Sequence, residues 1–126
     1  MRELILDSSI LIELASKPVP NFNDIPDYLG NVEMVLLDAS VNELSKLRKK
    51  SKTKMIKAID LALRFSSNLK IINTLVNNEN VDDLILDFAN KRGSAVATQD
   101  RILRMRLRKS GISVISLRRG RIMFEG

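Results

Sequence analysis

The sequence contains no cysteine and no histidine, and these two absences remove most familiar routes to catalysis. Without thiols there is no disulfide framework, no redox pair and no iron–sulfur cluster. Zinc loses its preferred imidazole and thiolate ligands. Ser–His–Asp and Cys–His nucleophilic mechanisms lose their general base. Tryptophan is also absent and aromatic residues make up only 4% of the chain, which argues against modules that stack several bases on exposed rings. No apolar run reaches the roughly 18 residues of a membrane-spanning helix. The N-terminal run Leu4 to Leu14 is interrupted by Asp7 and Glu13, which makes it a poor signal peptide. A cytoplasmic protein with no membrane partner is therefore expected. Any catalysis must come from carboxylates, hydroxyls, amines or a metal held by oxygen.

The 126 residues carry a net charge of +6, a length suited to one domain over residues 1–126 and a charge suited to polyanionic partners. The charge is partitioned. Residues 1–43 hold eight acids against two bases, and residues 44–70 hold nine bases against Asp60 alone. Residues 71–100 return to five acids and two bases, and residues 101–126 hold eight bases against Glu125. A fold could gather each sign on its own face, although solvated helix surfaces explain many such runs.

Short apolar runs alternate with helical periodicity along the chain. Leu4–Leu6, Met34–Leu37, Leu69–Ile72, Ala95–Ala97 and Val114–Leu117 read as strands, and Arg121–Phe124 pairs with the last of these after an Arg119-Gly120 turn. Helices are predicted at about Ser9–Ser16, Ser40–Lys50, Lys52–Ser66, Val81–Lys91 and Asp100–Lys109. Ser40-Val41-Asn42-Glu43 fits a capping box. Met55, Ile56, Ile59 and Leu63 form the apolar face of the third helix. Residues 17–31, with three prolines, read as an irregular connection, and Asn77–Asn80 as a loop. The alternation implies an α/β fold: a three-layer α/β/α arrangement around a central, mostly parallel, twisted sheet of four to six strands.

Ligand sites in such sheets lie beyond the carboxyl ends of the strands. Acids at strand exits or helix entries are Asp7, Glu43, Asp82, Asp83 and Asp100. Four of them meeting at one edge would repel unless a cation intervened. An all-oxygen donor set matches Mg²⁺ or Mn²⁺. Each acid also has an ordinary role available. Asp7 and Asp100 can cap the helices that follow, Glu43 can answer Ser40 in the capping box, and Asp82 and Asp83 can favour a helix N-terminus. Asp38, Glu79 and Asp87 read as surface or capping residues.

These segments resemble the PIN-domain nuclease family, including its archaeal, processome-type and VapC-like small members. Leu6-Asp7-Ser8-Ser9-Ile10-Leu11-Ile12 is similar to the opening strand and turn of that family, with Ser9 where Asn is usual. Val41-Asn42-Glu43-Leu44 resembles the second motif, an acid in the helix after the second strand. Val81-Asp82-Asp83-Leu84-Ile85 resembles the third, with Asp82 at the matching spacing to Ile85 and Ala89. Val96-Ala97-Thr98-Gln99-Asp100 resembles the fourth, Thr–x–Asp at a strand end. The Arg-rich stretch from Arg101 onward is similar to archaeal and processome-type members.

The resemblance implies a divalent-metal-dependent phosphodiesterase acting mostly on RNA. In that reading Asp7, Glu43, Asp82 and Asp100 hold one or two Mg²⁺ or Mn²⁺ ions and are catalytic. Ser9, Thr98 and Asp83 stand behind them, Ser9 and Thr98 also being suited to turn and capping chemistry. Arg101, Arg104 and Arg108, at i, i+3 and i+7 on one helix stripe, are the first choice for phosphate contacts. Arg48, Lys49 and Lys50 are the second, as part of a basic rim. The cellular role would be ribosomal-RNA processing or the toxin of a toxin–antitoxin pair, with a ribosome-assembly partner or an antitoxin, and a homodimer as an allowed assembly. Two other readings compete. One is a non-catalytic PIN-type RNA-binding protein in an RNA-processing complex. The other is a receiver or nucleotide-binding module, weakened by the lack of a glycine-rich phosphate loop and of an acid pair after the first strand.

Overall fold

Leu4, Ile5 and Leu6 are consecutive and each at most 1% exposed. Successive side chains of a strand point to opposite faces, so such a run requires a sheet covered on both sides. The computed structural model describes residues 1–74 and 80–125 and contains that sheet. Strands β1 (Arg2–Leu6), β2 (Val32–Leu37), β3 (Lys70–Ile72), β4 (Ala95–Ala97), β5 (Val114–Arg118) and β6 (Arg121–Glu125) lie in the order β3-β2-β1-β4-β5-β6. All neighbours are parallel except the β5–β6 hairpin. Its turn places Arg119 and Gly120 at φ 53° and 73°, the left-handed pair that matches the twist of the flanking strands.

The helices are α1 (Ser8–Ser16), α2 (Ile25–Leu29), α3 (Asp38–Lys49), α4 (Thr53–Ser66), α5 (Val81–Arg92) and α6 (Arg101–Lys109). Leu4, Leu6 and Leu36 pack with Ile10, Leu11, Leu44 and Ile59 of α1, α3 and α4 on one face. Ile5, Val35, Val96 and Val114 pack with Leu84, Ile85, Leu103 and Leu107 of α5 and α6 on the other. The three layers are those expected from the alternation of strands and helices, with six strands. No helix among the described residues is long and apolar enough to cross a membrane.

The chain builds outward from β1 through β2 to β3, then returns to the other side of β1 for β4. The order therefore reverses between β1 and β4, which opens a crevice at their carboxyl ends. Asp7 follows β1 there, and Thr98 follows β4.

Four local expectations fail. Helix α3 begins at Asp38 rather than Ser40, with Leu37 at its N-cap. Ser40 is thus buried inside the helix with no partner for its hydroxyl, and the capping box with Glu43 does not form. Burial of the β2 exit draws the helix start back to the strand. Residues 17–31 are not wholly irregular, because Phe22–Asp24 form a 3₁₀ turn that leads into α2 with Pro26 in its first turn, a position where a missing N–H costs nothing. Met55 is 45% exposed, since the buried face of α4 runs through Ile59, Ala62 and Ser66. Asp100 is the N-cap of α6 rather than its first residue. The loop reading at Asn77–Glu79, and the role given to Glu79, lie outside the described residues. Asn80 caps α5, its side chain accepting from the amides of Asp82 and Asp83.

Candidate active site

Asp7 sits where β1 turns into α1, and its amide continues the sheet by donating to Ala97 O of β4 at 2.9 Å. The side chain is 4% exposed, and every bond it makes fixes its orientation. Oδ1 accepts from the Ser8 amide at 2.9 Å. Oδ2 accepts from Ser9 Oγ at 2.8 Å and from Thr98 Oγ1 at 2.7 Å. Ser9 Oγ and Thr98 Oγ1 lie 3.3 Å apart, and Ser9 Oγ also accepts from the Gln99 amide at 3.0 Å. Two hydroxyls from opposite sides of the switch point thus hold one buried carboxylate. Three bonds to its charged form repay a desolvation that an unpaired carboxylate could not tolerate.

Asp100 stands two residues past Thr98, whose Oγ1 accepts its amide at 3.1 Å. Asp100 Oδ1 caps α6 by accepting from Leu103 N at 3.0 Å. Glu43, exposed on α3, accepts a hydrogen bond from Ser8 Oγ. The first turn of α5 carries Asp82. Burial, and after it the negative charges of Asp7, Asp100 and Glu43, together push its carboxyl up to about 6, while Arg106 opposes them. Residues spread from position 7 to position 100 thus act on one another through space at the crevice. The donors are all oxygen, and the strained protonation of Asp82 is the electrostatic condition a hard cation relieves. Among the described residues, however, no three acids stand close enough to hold one ion together.

The remaining candidates divide. Asp83 pairs with Arg106 at 2.7 Å. Arg48 is bound bidentately to Asp60 at 2.7 and 3.2 Å, whereas Lys49 and Lys50 are exposed. Arg101 and Arg108 are exposed along α6. Arg104 is half-buried and leans toward Glu125 of β6, 3.4 Å away. Asp87 makes a surface pair with Lys91 at 2.9 Å.

Two residues with structural parts here, Gln99 and Ser8, escaped the sequence reading, and a third, Asp38, was read only as a surface or capping residue. Asp38 leaves β2 as Asp7 leaves β1, and the repeated Leu-Asp strand ending was the available signal. Burial alone would push its carboxyl up. Bonds from the Thr74 hydroxyl and amide and from the Ala39 amide outweigh that and hold it below the usual range. Gln99 exchanges two bonds with the Leu117 backbone, donating to its carbonyl at 3.0 Å and accepting from its amide at 2.6 Å. Its side chain thereby serves as a rung between β4 and β5 beyond the last paired residue. Ser8 tethers Glu43. Neither Gln99 nor Ser8 left a sequence signal, because their partners are distant in the chain.

A family model described as PIN like domain matches residues 4–121. Among solved structures, the chain is similar to the PIN domain endonuclease Utp24, with a TM-score of 0.77 and 22% identity over 98% of this chain and 90% of that one. A domain of a functionally unknown protein from Methanocaldococcus jannaschii DSM 2661 matches with a TM-score of 0.63 and 18% identity, covering 94% and 92%. A PilT N-terminus domain protein from Sulfolobus solfataricus P2 matches with a TM-score of 0.52 and 12% identity, covering 90% and 86%. At these identities the structural likeness speaks to the fold. No curated protein matches the chain in sequence.

Proposed function

Since the chain belongs to the PIN-like domain family, we propose that it is a divalent-metal-dependent endoribonuclease of the cytoplasm that hydrolyses RNA phosphodiester bonds. The observation that supports this reading is that Asp7, Asp100 and Glu43 lie within electrostatic reach of Asp82 and raise its carboxyl. Asp7, Asp82, Asp100 and Glu43 would hold one or two Mg²⁺ or Mn²⁺ ions. When bound, such an ion lowers the pKa of its water and offsets charge developing on the phosphate. Ser9 and Thr98 keep Asp7 Oδ2 in one orientation, and Ser8 restrains Glu43. Arg101, Lys49 and Lys50, exposed, would take backbone phosphates without reading sequence.

The test is cleavage of a fluorophore-labelled RNA with Mg²⁺, Mn²⁺ or EDTA, beside the Asp82→Asn protein. Cutting that needs the ion and the carboxylate supports the reading, and cutting that survives the loss of either sinks it. A second reading, a non-catalytic RNA-binding PIN protein, is favoured by the absence of any three acids gathered tightly enough for one ion among the described residues. Manganese calorimetry separates the two. The processing and toxin roles share this chemistry, and a short antitoxin-like reading frame beside the gene would favour the toxin.

A further inference from the structure

Beside the carboxylate edge, one helical turn along α6 from Asp100, a cleft of about 420 Å³ opens between α6 and the β5–β6 hairpin. Its size falls within the roughly 300–1,000 Å³ of small-ligand sites. Gln99, Arg104, Ser116, Arg118, Met123 and Glu125 line it. The Arg104 guanidinium is poorly used. Its Nη1 meets Glu125 Oε1 only at 3.4 Å, and its buried Nε has no acceptor. By contrast, Arg92 grips Glu3 with two bonds at 2.6 and 2.9 Å, and Arg48 grips Asp60 at 2.7 and 3.2 Å. Glu125 is equally underused, since that long contact is its sole ion pair among the described residues. Each side chain is about a quarter exposed, 28% and 26%. A guanidinium and a carboxylate therefore stand side by side, loosely engaged, at the mouth of a polar cleft.

From this pairing we propose that the cleft is a subsite for a guanine base of the RNA, next to the bond that is cut. A bare phosphate would gain from Arg104 and Arg118 but would be repelled by Glu125. Guanine suits both signs in one plane: O6 and N7 accept from a guanidinium fork, while N1–H and the N2 amine donate to a carboxylate. Adenine would present its N6 amine to Arg104 where guanine presents O6. Met123, 41% exposed, supplies a polarizable surface for the face of the ring in a protein poor in aromatics. Gln99 ties the cleft floor to Leu117 while its neighbours Thr98 and Asp100 belong to the carboxylate site, so the two are contiguous. The assignment rests on the nuclease reading for its meaning but not for its test.

The experiment is an amide NMR titration of the ¹⁵N-labelled chain in EDTA with GMP, IMP, AMP and inorganic phosphate. GMP should shift amides around Ser116–Arg118 and Met123–Glu125. IMP, which lacks the N2 amine, should bind about tenfold more weakly, the loss of one arm of a bidentate contact. AMP and phosphate should leave these amides in place. The Glu125→Gln protein, checked for an unchanged fold by its spectrum, should bind GMP and IMP alike. Equal binding of GMP and IMP to the parent, equal shifts with phosphate, or shifts confined to another surface would each overturn the proposal. A chain that cuts no RNA yet separates GMP from IMP overturns the nuclease reading and leaves this one standing. A chain that cuts RNA and binds both nucleotides alike does the reverse.

Discussion

Thr98 Oγ1 donates to Asp7 Oδ2 at 2.7 Å across 91 residues of sequence, and the pair is buried. This bond joins the exits of β1 and β4, the two strands between which the sheet order reverses, and so locks the crevice where the acids converge. It also shows how a nearly fully buried carboxylate is retained: its acceptor capacity is matched by donors from both sides of the switch point.

Thr98→Val should therefore be costly out of proportion to its size. The substitution keeps the shape and removes one charge-assisted donor, with an expected loss of about 1.5–3 kcal/mol in urea unfolding at unchanged m value. Cleavage should fall about 10–100-fold, as for other groups that orient a metal-binding carboxylate. Full stability in Thr98→Val would show that Asp7 does not depend on this bond.

Asp82 makes the metal-free protein sensitive to pH. Its carboxyl is raised to about 6 from the ordinary aspartate value of 3.8, so between these values the native state holds a proton that the unfolded chain has lost. Stability should then fall as pH rises across that window. Asp82→Asn should flatten the profile and stabilise the protein above pH 7 by on the order of 1 kcal/mol, after allowing for solvent screening. Thermal melts in EDTA from pH 4 to 8 provide the check, and an unchanged profile in the variant contradicts the assignment.

At Asp100 charge and capping can be separated. Asn caps helices about as well as Asp, so Asp100→Asn should keep the bond to Leu103 N and lose little stability. Asp100→Ala should lose about 1 kcal/mol. Both should reduce metal-dependent cleavage by roughly a hundredfold or more. If Asp100→Asn cuts RNA at the parental rate, Asp100 is a cap and nothing else.

The exposed lysines at the C-terminal end of α3, Lys49 and the capping Lys50, and the paired Arg48 should behave differently toward RNA. Replacing Lys49 and Lys50 by Ala should reduce the slope of log binding against log salt by about 1.4, two single-strand phosphate contacts. Arg48→Ala should change it less, because its guanidinium is already held by Asp60. Fluorescence anisotropy across a KCl series measures both, and equal slopes in all three proteins would remove α3 from the interface.

Much of the strand and helix pattern was legible because local periodicity carries it. The run Leu4-Ile5-Leu6 requires a doubly covered strand, and α5, expected over Val81–Lys91, ends at Arg92 with Gly93 in the left-handed region at φ 66° behind it. The Asp38 start of α3 was not legible. The Ser40–Glu43 spacing satisfies the local rule for a cap, whereas the helix boundary follows from how β2 leaves the sheet and how Thr74 meets Asp38. The same division holds at the candidate site. Strand exits and helix entries are local features with local signatures, and they single out Asp7, Glu43, Asp82, Asp83 and Asp100, whereas the choice of Asp82 over Asp83 comes from the family resemblance of its spacing to Ile85 and Ala89. Only the tertiary structure decided that Asp83 faces Arg106, that Arg48 and Arg104 already have carboxylate neighbours, and that Ser9 and Thr98 meet on the same oxygen of Asp7. The reason is physical: backbone conformation responds to neighbours a few residues away, but the partner of a charge is chosen by whatever the fold brings within hydrogen-bonding distance.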